Sequence, residues 1–326
     1  MNNQKNFTKL ALTLLFSAAS IATGQTKLGF DLSNSIVPPQ ELIRPGVPRD
    51  GFPSIDNPKF TPVSEVEYLN PEDIVVGFTK NGVTRAYPLR IMVRHEVLND
   101  SIGDFHLAVI YCPLVKSVTI HDRTFNGKTV EFGVSGLLYN SDMVMYDRET
   151  GSLWSQLAFK CISGKMVGTP LTWLHSEQMT WEEWKKRNPK GEVLNTDTGY
   201  DMNYFQDAYP NYFTDNTVRF PYKTNRNELS KKELTAALFV NNTPKCYLLE
   251  VLYRHSGKWI EDEVGGTPIK VRYTPEIQHF EAQDMEGNPI PVAEVFWFAW
   301  QAFYPDTELY QYSITPEQLQ KLINKL

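Results

Sequence analysis

Short apolar runs separated by tight-turn signals fill the first half of the chain. Residues 74–78 read Ile-Val-Val-Gly-Phe, and Asn81-Gly82, a pair that favours a two-residue hairpin, follows them. The run at 107–111 is continuously apolar, as is typical of a strand buried on both faces. Further runs of β type lie at 84–87, 118–122 and 129–132. We therefore predict a fold of the α+β class that is mainly β.

Three segments have helical patterns. A short helix is expected at 89–98, and a second at 180–187, where Thr180 precedes two tryptophans that share one face. The end of the chain, 313–326, combines a serine cap, an early proline and a leucine stripe, which predicts a C-terminal amphipathic helix.

The chain contains an internal repeat. An Asn, a Tyr and an Arg-His pair recur with a constant offset of 160 positions, at Asn81, Tyr87 and Arg94-His95 and then at Asn241, Tyr247 and Arg254-His255. A Trp-x-x-Trp motif followed by proline also occurs twice, at Trp181 and at Trp297. The offset there is shorter, so the second copy lacks about 46 residues. We expect two pseudo-equivalent β-rich units.

Composition shifts suggest how the chain is divided. The expected segments are a signal peptide (1–24), an extended N-terminal strap (25–57), repeat unit 1 (58–196) with a site-bearing insertion at about 135–180, an aromatic-rich connector (197–230), a shorter repeat unit 2 (231–312) and the C-terminal helix (313–326). Proline-rich sequence favours the extended strap. Because flexible linkers are poor in aromatic residues, the connector is expected to pack between the units.

Charge and the N-terminus narrow the function classes. The 326-residue chain has a formal net charge of -6 and no long basic run, which argues against nucleic acid as a partner. Lys5 and Lys9 precede an apolar stretch of about 13 residues and a small-residue cleavage site, the pattern of a cleavable export signal. An uncleaved anchor is the alternative. We expect an extracytoplasmic protein, periplasmic or secreted, with no transmembrane span after cleavage.

Comparing the two copies separates residues that the fold needs twice from residues present once. Cys112 aligns with Thr274 and Glu96 with Ser256, whereas His95 is retained as His255. Cys112 is therefore a candidate nucleophile or metal ligand, with His95 as its orienting base or co-ligand and Glu96 orienting the histidine. A buried, inert cysteine and a structural histidine are the alternatives.

The insertion supplies the candidate ligand-binding residues. Glycine and short polar side chains there favour turns that often contact ligands, but they also fit an ordinary extra hairpin. The candidates are Ser135, Tyr139, Asn140, Asp142, Asp147, Trp154, Ser155 and Gln156. If Met143 or Met145 contributed a thioether, the metal at Cys112 and His95 would be a soft transition metal such as copper. Classical zinc, nucleotide and serine-hydrolase motifs do not occur in the sequence.

Several motifs resemble one bacterial family. They include Asp50-Gly51-Phe52-Pro53, Ala86-Tyr87-Pro88-Leu89-Arg90, His95-Glu96, Tyr111-Cys112-Pro113-Leu114, residues 132–141, Met145-Tyr146-Asp147-Arg148 and Ser152-Leu153-Trp154-Ser155-Gln156. Over nearly the full length after the signal, the chain resembles the family known as domain of unknown function 3179. The resemblance implies an extracytoplasmic location and a site position, and no established activity. The family's second cysteine is replaced here by Val115.

The sequence leads to one main hypothesis and two alternatives. The main hypothesis is a protein that binds a metal ion or small ligand at a single-thiol site of Cys112, His95 and Glu96, roofed by residues 135–142 and 154–156. Whether it is an enzyme stays open. The first alternative is a non-catalytic module that binds glycan or peptide through exposed aromatics such as Tyr139, Tyr146 and Trp154. The second is an envelope assembly protein without a small-molecule site.

Overall fold

The computed structural model describes residues 26–224 and 226–310. The fold is mainly β with short helices, which confirms the predicted fold class. The signal peptide predicted at 1–24 and the C-terminal helix predicted at 313–326 lie outside the described residues. Within the described ranges, no helix combines the length and the apolar character needed to cross a membrane.

The strands of the first two thirds of the chain are short. They are β1 (Thr26–Lys27), β2 (Phe30–Asp31), β3 (Phe60–Pro62), β4 (Ile74–Lys80), β5 (Val83–Pro88), β6 (Val97–Ile102), β7 (Phe105–Cys112), β8 (Ser117–Asp122), β9 (Thr124–Phe125), β10 (Lys128–Thr129), β11 (Phe132–Tyr139), β12 (Asp142–Asp147), β13 (Leu153–Ser155), β14 (Lys160–Ser163), β15 (Trp173–Leu174), β16 (Glu177–Thr180) and β17 (Glu192–Leu194).

The last third continues the pattern. Its strands are β18 (Leu234–Val240), β19 (Thr243–Leu248), β20 (Ile260–Val264), β21 (Thr267–Thr274), β22 (His279–Asp284), β23 (Ala293–Phe296) and β24 (Glu308–Leu309). The α-helices of the described chain are α1 (Leu89–Met92), α2 (Trp181–Arg187), α3 (Leu249–Tyr253) and α4 (Trp297–Phe303). Short 3-10 turns lie at Pro39–Glu41, Val63–Glu65 and Pro275–Ile277.

Five larger sheets of the described chain form a ring that resembles a five-bladed β-propeller. Their strand orders are β11-β12-β13-β14, β15-β8-β7-β6, β16-β4-β5-β17-β3, β23-β18-β19-β24 and β20-β21-β22. Neighbouring sheets touch where β6 meets β11, β8 meets β23 and β16 meets β22. Side chains from different sheets therefore meet inside the ring.

Two of the sheets share one pairing scheme. In the first, β16 pairs antiparallel with β4 and β17 runs parallel to β5. In the second, β23 pairs antiparallel with β18 and β24 runs parallel to β19. The division into two equivalent units, with the boundaries given above, stays a prediction.

Local turn chemistry explains the hairpins. Asn81 and Gly82 have φ values of 51° and 79°, as the predicted two-residue turn between β4 and β5 requires. The helix expected at 89–98 is shorter and ends at Met92, because the backbone reverses and Val97 begins β6. Glu96 lies in this reversal with a left-handed φ of 61°.

The strap and the connector have little regular structure and pack on the ring. Phe30 and Leu32 are buried in the strap, whereas Ile36 is 54% exposed. Tyr204 and Tyr212 bury their rings in the connector. The strap forms a backbone bridge to β11 between Ile43 and Leu138, and the connector contacts the turn between β11 and β12 at Ser141.

Candidate functional site

Glu96 marks the deep end of the site. Its amide donates to the Met92 carbonyl at 2.7 Å, and its own carbonyl accepts from the Tyr111 amide at 2.8 Å, which holds the turn between α1 and β6. A left-handed backbone is uncommon for a glutamate and persists when its surroundings enforce it. Burial, together with the nearby charge of Asp142, raises the pKa of Glu96 from 4.5 to about 8. The side chain is therefore protonated near neutral pH.

Cys112 ends β7 and is fully buried. The Met143 amide donates to its Sγ at 3.4 Å. Burial raises the pKa of the thiol well above its ordinary value, and the charges of Asp142 and Glu96 act in the same direction. Because a thiolate is the nucleophilic form, this environment favours the unreactive thiol.

Asp142 begins β12, directly after Asn140 and Ser141, which both have a left-handed backbone. Burial raises its pKa to about 7, although hydrogen bonds from Gln156 and Cys112 act in the opposite direction. The Gln156 amide donates to Asp142 Oδ1 at 2.8 Å. Asp142, Glu96 and Cys112 thus form a group of three neighbouring, buried ionisable side chains, which we call the acid cluster.

A buried polar chain extends from the acid cluster towards the next sheet. Thr119 Oγ1 donates to Gln156 Oε1 at 3.1 Å, and His121 Nε2 lies 2.8 Å from Thr119 Oγ1. Burial lowers the pKa of His121 to about 3, so the imidazole is neutral. This chain of polar side chains therefore adds no positive charge that would balance the carboxyls of Glu96 and Asp142.

Through Glu96, the acid cluster borders a cavity of about 160 Å³. Glu96, Tyr209 and Arg219 are the polar side chains of its wall. The rest of the wall is apolar: Pro45, Val47, Phe52, Leu114, Val134, Gly136, Leu137, Leu138, Met143 and Phe220. A mainly apolar cavity with a few converging polar groups is the usual form of a small-molecule site.

The strap closes one side of the cavity. Ile43 exchanges two backbone hydrogen bonds with Leu138 at 2.8 and 2.9 Å, and the Asp50 amide donates to Val134 at 2.8 Å. Gly136 has φ 77°, and a Cβ there would lie 2.7 Å from the Val47 carbonyl oxygen. Glycine is therefore required where the strap crosses β11.

The connector closes the other side. Ser141 Oγ donates to the Phe220 carbonyl at 2.6 Å, and the Lys223 amide donates to Asn140 Oδ1 at 3.1 Å. The Lys223 ammonium also lies 2.6 Å from Glu41 of the strap. Strap, insertion and connector are thus tied together around the cavity.

A family model described as "Protein of unknown function (DUF3179)" matches residues 49–287, most of the chain. The chain belongs to this family. Neither the curated proteins nor the solved structures contain a match to it. In this DUF3179 protein the matched range contains the acid cluster and much of the cavity wall.

His95 forms its hydrogen bonds with Pro53 and Tyr204 and not with the acid cluster. Its Nδ1 lies 2.6 Å from the Pro53 carbonyl and must donate to it, so in the neutral ring Nε2 accepts from Tyr204 at 2.7 Å. Burial lowers the pKa of His95, which favours the neutral ring. Both ring nitrogens are therefore engaged with the strap and the connector, and the histidine fixes those segments.

The insertion residues expected to bind a ligand have several different roles in the DUF3179 fold. Ser135 Oγ donates to the Val144 carbonyl at 2.5 Å, and Tyr139 packs its ring against Phe303. Ser155 Oγ accepts from the Ala158 amide at 3.2 Å. These contacts hold the backbone of the insertion, whereas Asp142 and Gln156 belong to the acid cluster and its polar chain.

Asp147 and Trp154 form a separate buried contact. The Trp154 indole donates to Asp147 Oδ2 at 2.8 Å, and Thr150 donates to the same carboxylate through its amide and its hydroxyl. Trp154 and Tyr146 are buried, so the expectation of exposed aromatics at these two positions is wrong. Both rings pack in the core instead.

Arg219, Tyr209 and Phe220 line the cavity but were not expected from the sequence. They come from the connector, whose aromatic richness indicated packing without indicating a site. Among the described residues, no group of three or more His, Cys, Asp or Glu side chains has an arrangement suited to a metal ion.

Proposed function

We propose that this protein is an exported binding protein for a small organic ligand, which occupies the cavity beside Glu96, Asp142 and Cys112. The observation that carries the proposal is the buried Glu96 carboxyl in the wall of a mainly apolar cavity. An enzymatic reaction at the same carboxyl stays open, because a pKa near neutral also suits a general acid or base.

The energetic argument concerns buried charge. Burying carboxyl groups without a cation is costly, and strongly displaced pKa values concentrate at functional sites. The acid cluster places two such carboxyls beside a thiol. A cluster that served packing alone would be better replaced by apolar side chains. Function is the reason that we infer for its presence.

The proposal changes the roles given to the residues from the sequence. Glu96 contacts the ligand, and burial together with the charge of Asp142 keeps its carboxyl protonated. His95 serves as a positioning residue for the strap. The metal version of the sequence hypothesis has less support, since a raised thiol pKa weakens metal binding by Cys112.

A binding screen tests the proposal. The protein from residue 25 onward would be titrated with small neutral and acidic ring compounds, with protein NMR as the readout. We expect binders with Kd below about 1 mM, which corresponds to about -4 kcal/mol. Val47→Phe, which fills the cavity from the strap, should abolish binding. Ile36→Phe, on an exposed strap position, is the control. Binding that survives Val47→Phe would place the ligand elsewhere and refute the proposal.

Glycan binding is a second candidate function, and a different depression, lined by aromatic rings, supports it. Phe159, Trp173, Phe239 and Tyr304 line a depression of about 370 Å³, and no charged side chain lines it. Phe159 holds its ring against Trp173 at 4.7 Å and has a left-handed φ of 51°. Neutral sugars present apolar ring faces that suit such walls. Polysaccharide quenching of tryptophan fluorescence that is lost in Trp173→Ala and retained in Cys112→Ala would favour this function.

A further inference from the structure

We propose that the ligand of the cavity is a small carboxylic acid with one ring-sized apolar body, whose carboxylate binds Arg219 and whose body lies against the apolar wall. This inference rests on the proposed function and adds the chemical class of the ligand. Three features of the cavity lead to it: its size, the Arg219 guanidinium in its wall and the buried Glu96 carboxyl in its wall.

The size limits the apolar body. A cavity of about 150 Å³ with apolar walls binds benzene, and the cavity here has about 160 Å³. A single ring, or a branched chain of similar volume, therefore fills it. Longer acyl chains and fused rings would need the strap to move away from β11, against its backbone hydrogen bonds at Ile43 and Asp50.

Arg219 supplies the site for the anion. It is exposed and also lines the cavity, which places the guanidinium at the mouth. In the described part of the chain it forms no ion pair within 4.0 Å, and its Cζ lies 4.6 Å from the ring centre of Tyr212. Asp215, whose charge also interacts with Arg219, forms an ion pair with Lys232 at 3.0 Å instead.

The stacked guanidinium is well prepared for a carboxylate. Stacking on an aromatic ring restricts the plane of the guanidinium, and the planar fork of donors matches a carboxylate with two parallel hydrogen bonds. The ring of Tyr212 is itself buried and its hydroxyl donates to the Leu114 carbonyl at 2.7 Å, so the platform is fixed. Leu114 also lines the cavity.

The positions of Glu96 and Arg219 determine the orientation. Away from Arg219, the residues that line the cavity supply no cation, so a ligand carboxylate beside Glu96 would be buried without a counter-charge, which is costly. The anionic head therefore points to the mouth and Arg219, and the apolar body points inward. A protonated Glu96 can still donate a hydrogen bond to a neutral oxygen of the ligand.

The experiment compares compounds of one size with different heads. Phenylacetate, benzyl alcohol, benzylamine and phenyl phosphate would be titrated by calorimetry at pH 6.5 against the wild type, Arg219→Gln, Arg219→Lys and Arg254→Gln. Arg254 is an exposed arginine that does not line the cavity, and it serves as the control. We expect phenylacetate to bind about tenfold more tightly than benzyl alcohol, as one exposed charge-assisted contact allows. This preference should disappear in Arg219→Gln, return in part in Arg219→Lys and persist in Arg254→Gln.

The outcomes separate this inference from the proposed function. If benzyl alcohol or benzylamine bound as tightly as phenylacetate, and Val47→Phe abolished the binding of these compounds, the ligand would not be a carboxylic acid. The cavity would then remain a ligand site. If Arg219→Gln still preferred phenylacetate to benzyl alcohol, the role of Arg219 would be refuted and the cavity would likewise remain a ligand site. Tighter binding of phenyl phosphate would overturn the assignment to a carboxylate. Failure of every compound to bind would overturn both proposals.

Discussion

Replacing Glu96 by glutamine removes a titrating group from the cavity wall and keeps the size of the side chain. In the wild type, the folded protein holds the Glu96 proton up to a pKa of about 8, whereas an unfolded glutamate releases it near 4.5. Because the folded state binds more protons in this interval, stability must fall as pH rises from about 4.5 to about 8. Above about pH 8, the contribution of Glu96 to the free energy of unfolding no longer changes with pH.

The displacement of the Glu96 pKa sets the size of this decline. Since one pKa unit corresponds to 1.36 kcal/mol, raising the pKa from 4.5 to about 8 corresponds to at most about 5 kcal/mol. Domains are stable by roughly 5–15 kcal/mol, so the loss would be easily visible. Asp142, with its pKa raised to about 7, titrates in the same interval and adds to the decline.

Urea unfolding of the protein from residue 25 onward, followed by tryptophan fluorescence between pH 5 and pH 9, measures the effect. We expect Glu96→Gln to have a smaller loss of unfolding free energy with rising pH than the wild type, with the remainder due to Asp142. Glu72→Gln, at an exposed position, should follow the wild type. Parallel pH profiles of the wild type and Glu96→Gln would show that the Glu96 carboxyl is not held protonated and would refute the reasoning.

Three further outcomes follow from the same contacts. Gly136→Ala should destabilise the protein by about 2 kcal/mol or more in urea unfolding and weaken ligand binding, whereas Gly82→Ala, with a similar φ and open space, should cost about 1 kcal/mol. Peptide mapping after iodoacetamide treatment should find Cys112 unmodified in the folded protein up to pH 9 and modified in urea, and rapid labelling at pH 7 would contradict its burial. Asp147→Ala should cost about 1–3 kcal/mol by leaving the Trp154 indole unpaired, and an equal loss of ligand affinity would show that this contact belongs to the site.

Local signals in the sequence predicted local structure well. The Asn81-Gly82 hairpin is confirmed, because both residues accept the left-handed backbone that the turn needs. The helix expected at 89–98 was too long, because helical periodicity continued past Met92 while tertiary contacts drew Val97 into a sheet. Burial of Tyr146 and Trp154 could not be predicted, since their partners lie in the strap and in other strands.

The site could be predicted only in part, because it also depends on contacts between segments that are remote in sequence. Comparison of the two copies drew attention to Cys112 and Glu96, and Asp142 was among the candidates in the insertion. The repeat could not show that the acid cluster would raise the thiol pKa, because this depends on distances between segments remote in sequence. Arg219 stood in a connector without a motif, so its place at the cavity mouth required the fold.

The contrast between the two copies supports a functional role for the acid cluster. At the positions that align with Glu96 and Cys112, the second copy has Ser256, which is exposed, and Thr274, which is partly buried at the end of β21. The sheet β20-β21-β22 therefore forms with neither a glutamate nor a cysteine at these two positions. Asp142 lies in the insertion predicted at about 135–180, which the sequence comparison indicates is missing from the second copy. Since each member of the cluster is costly to bury, its presence in the first copy supports the proposal of a ligand site at the adjoining cavity.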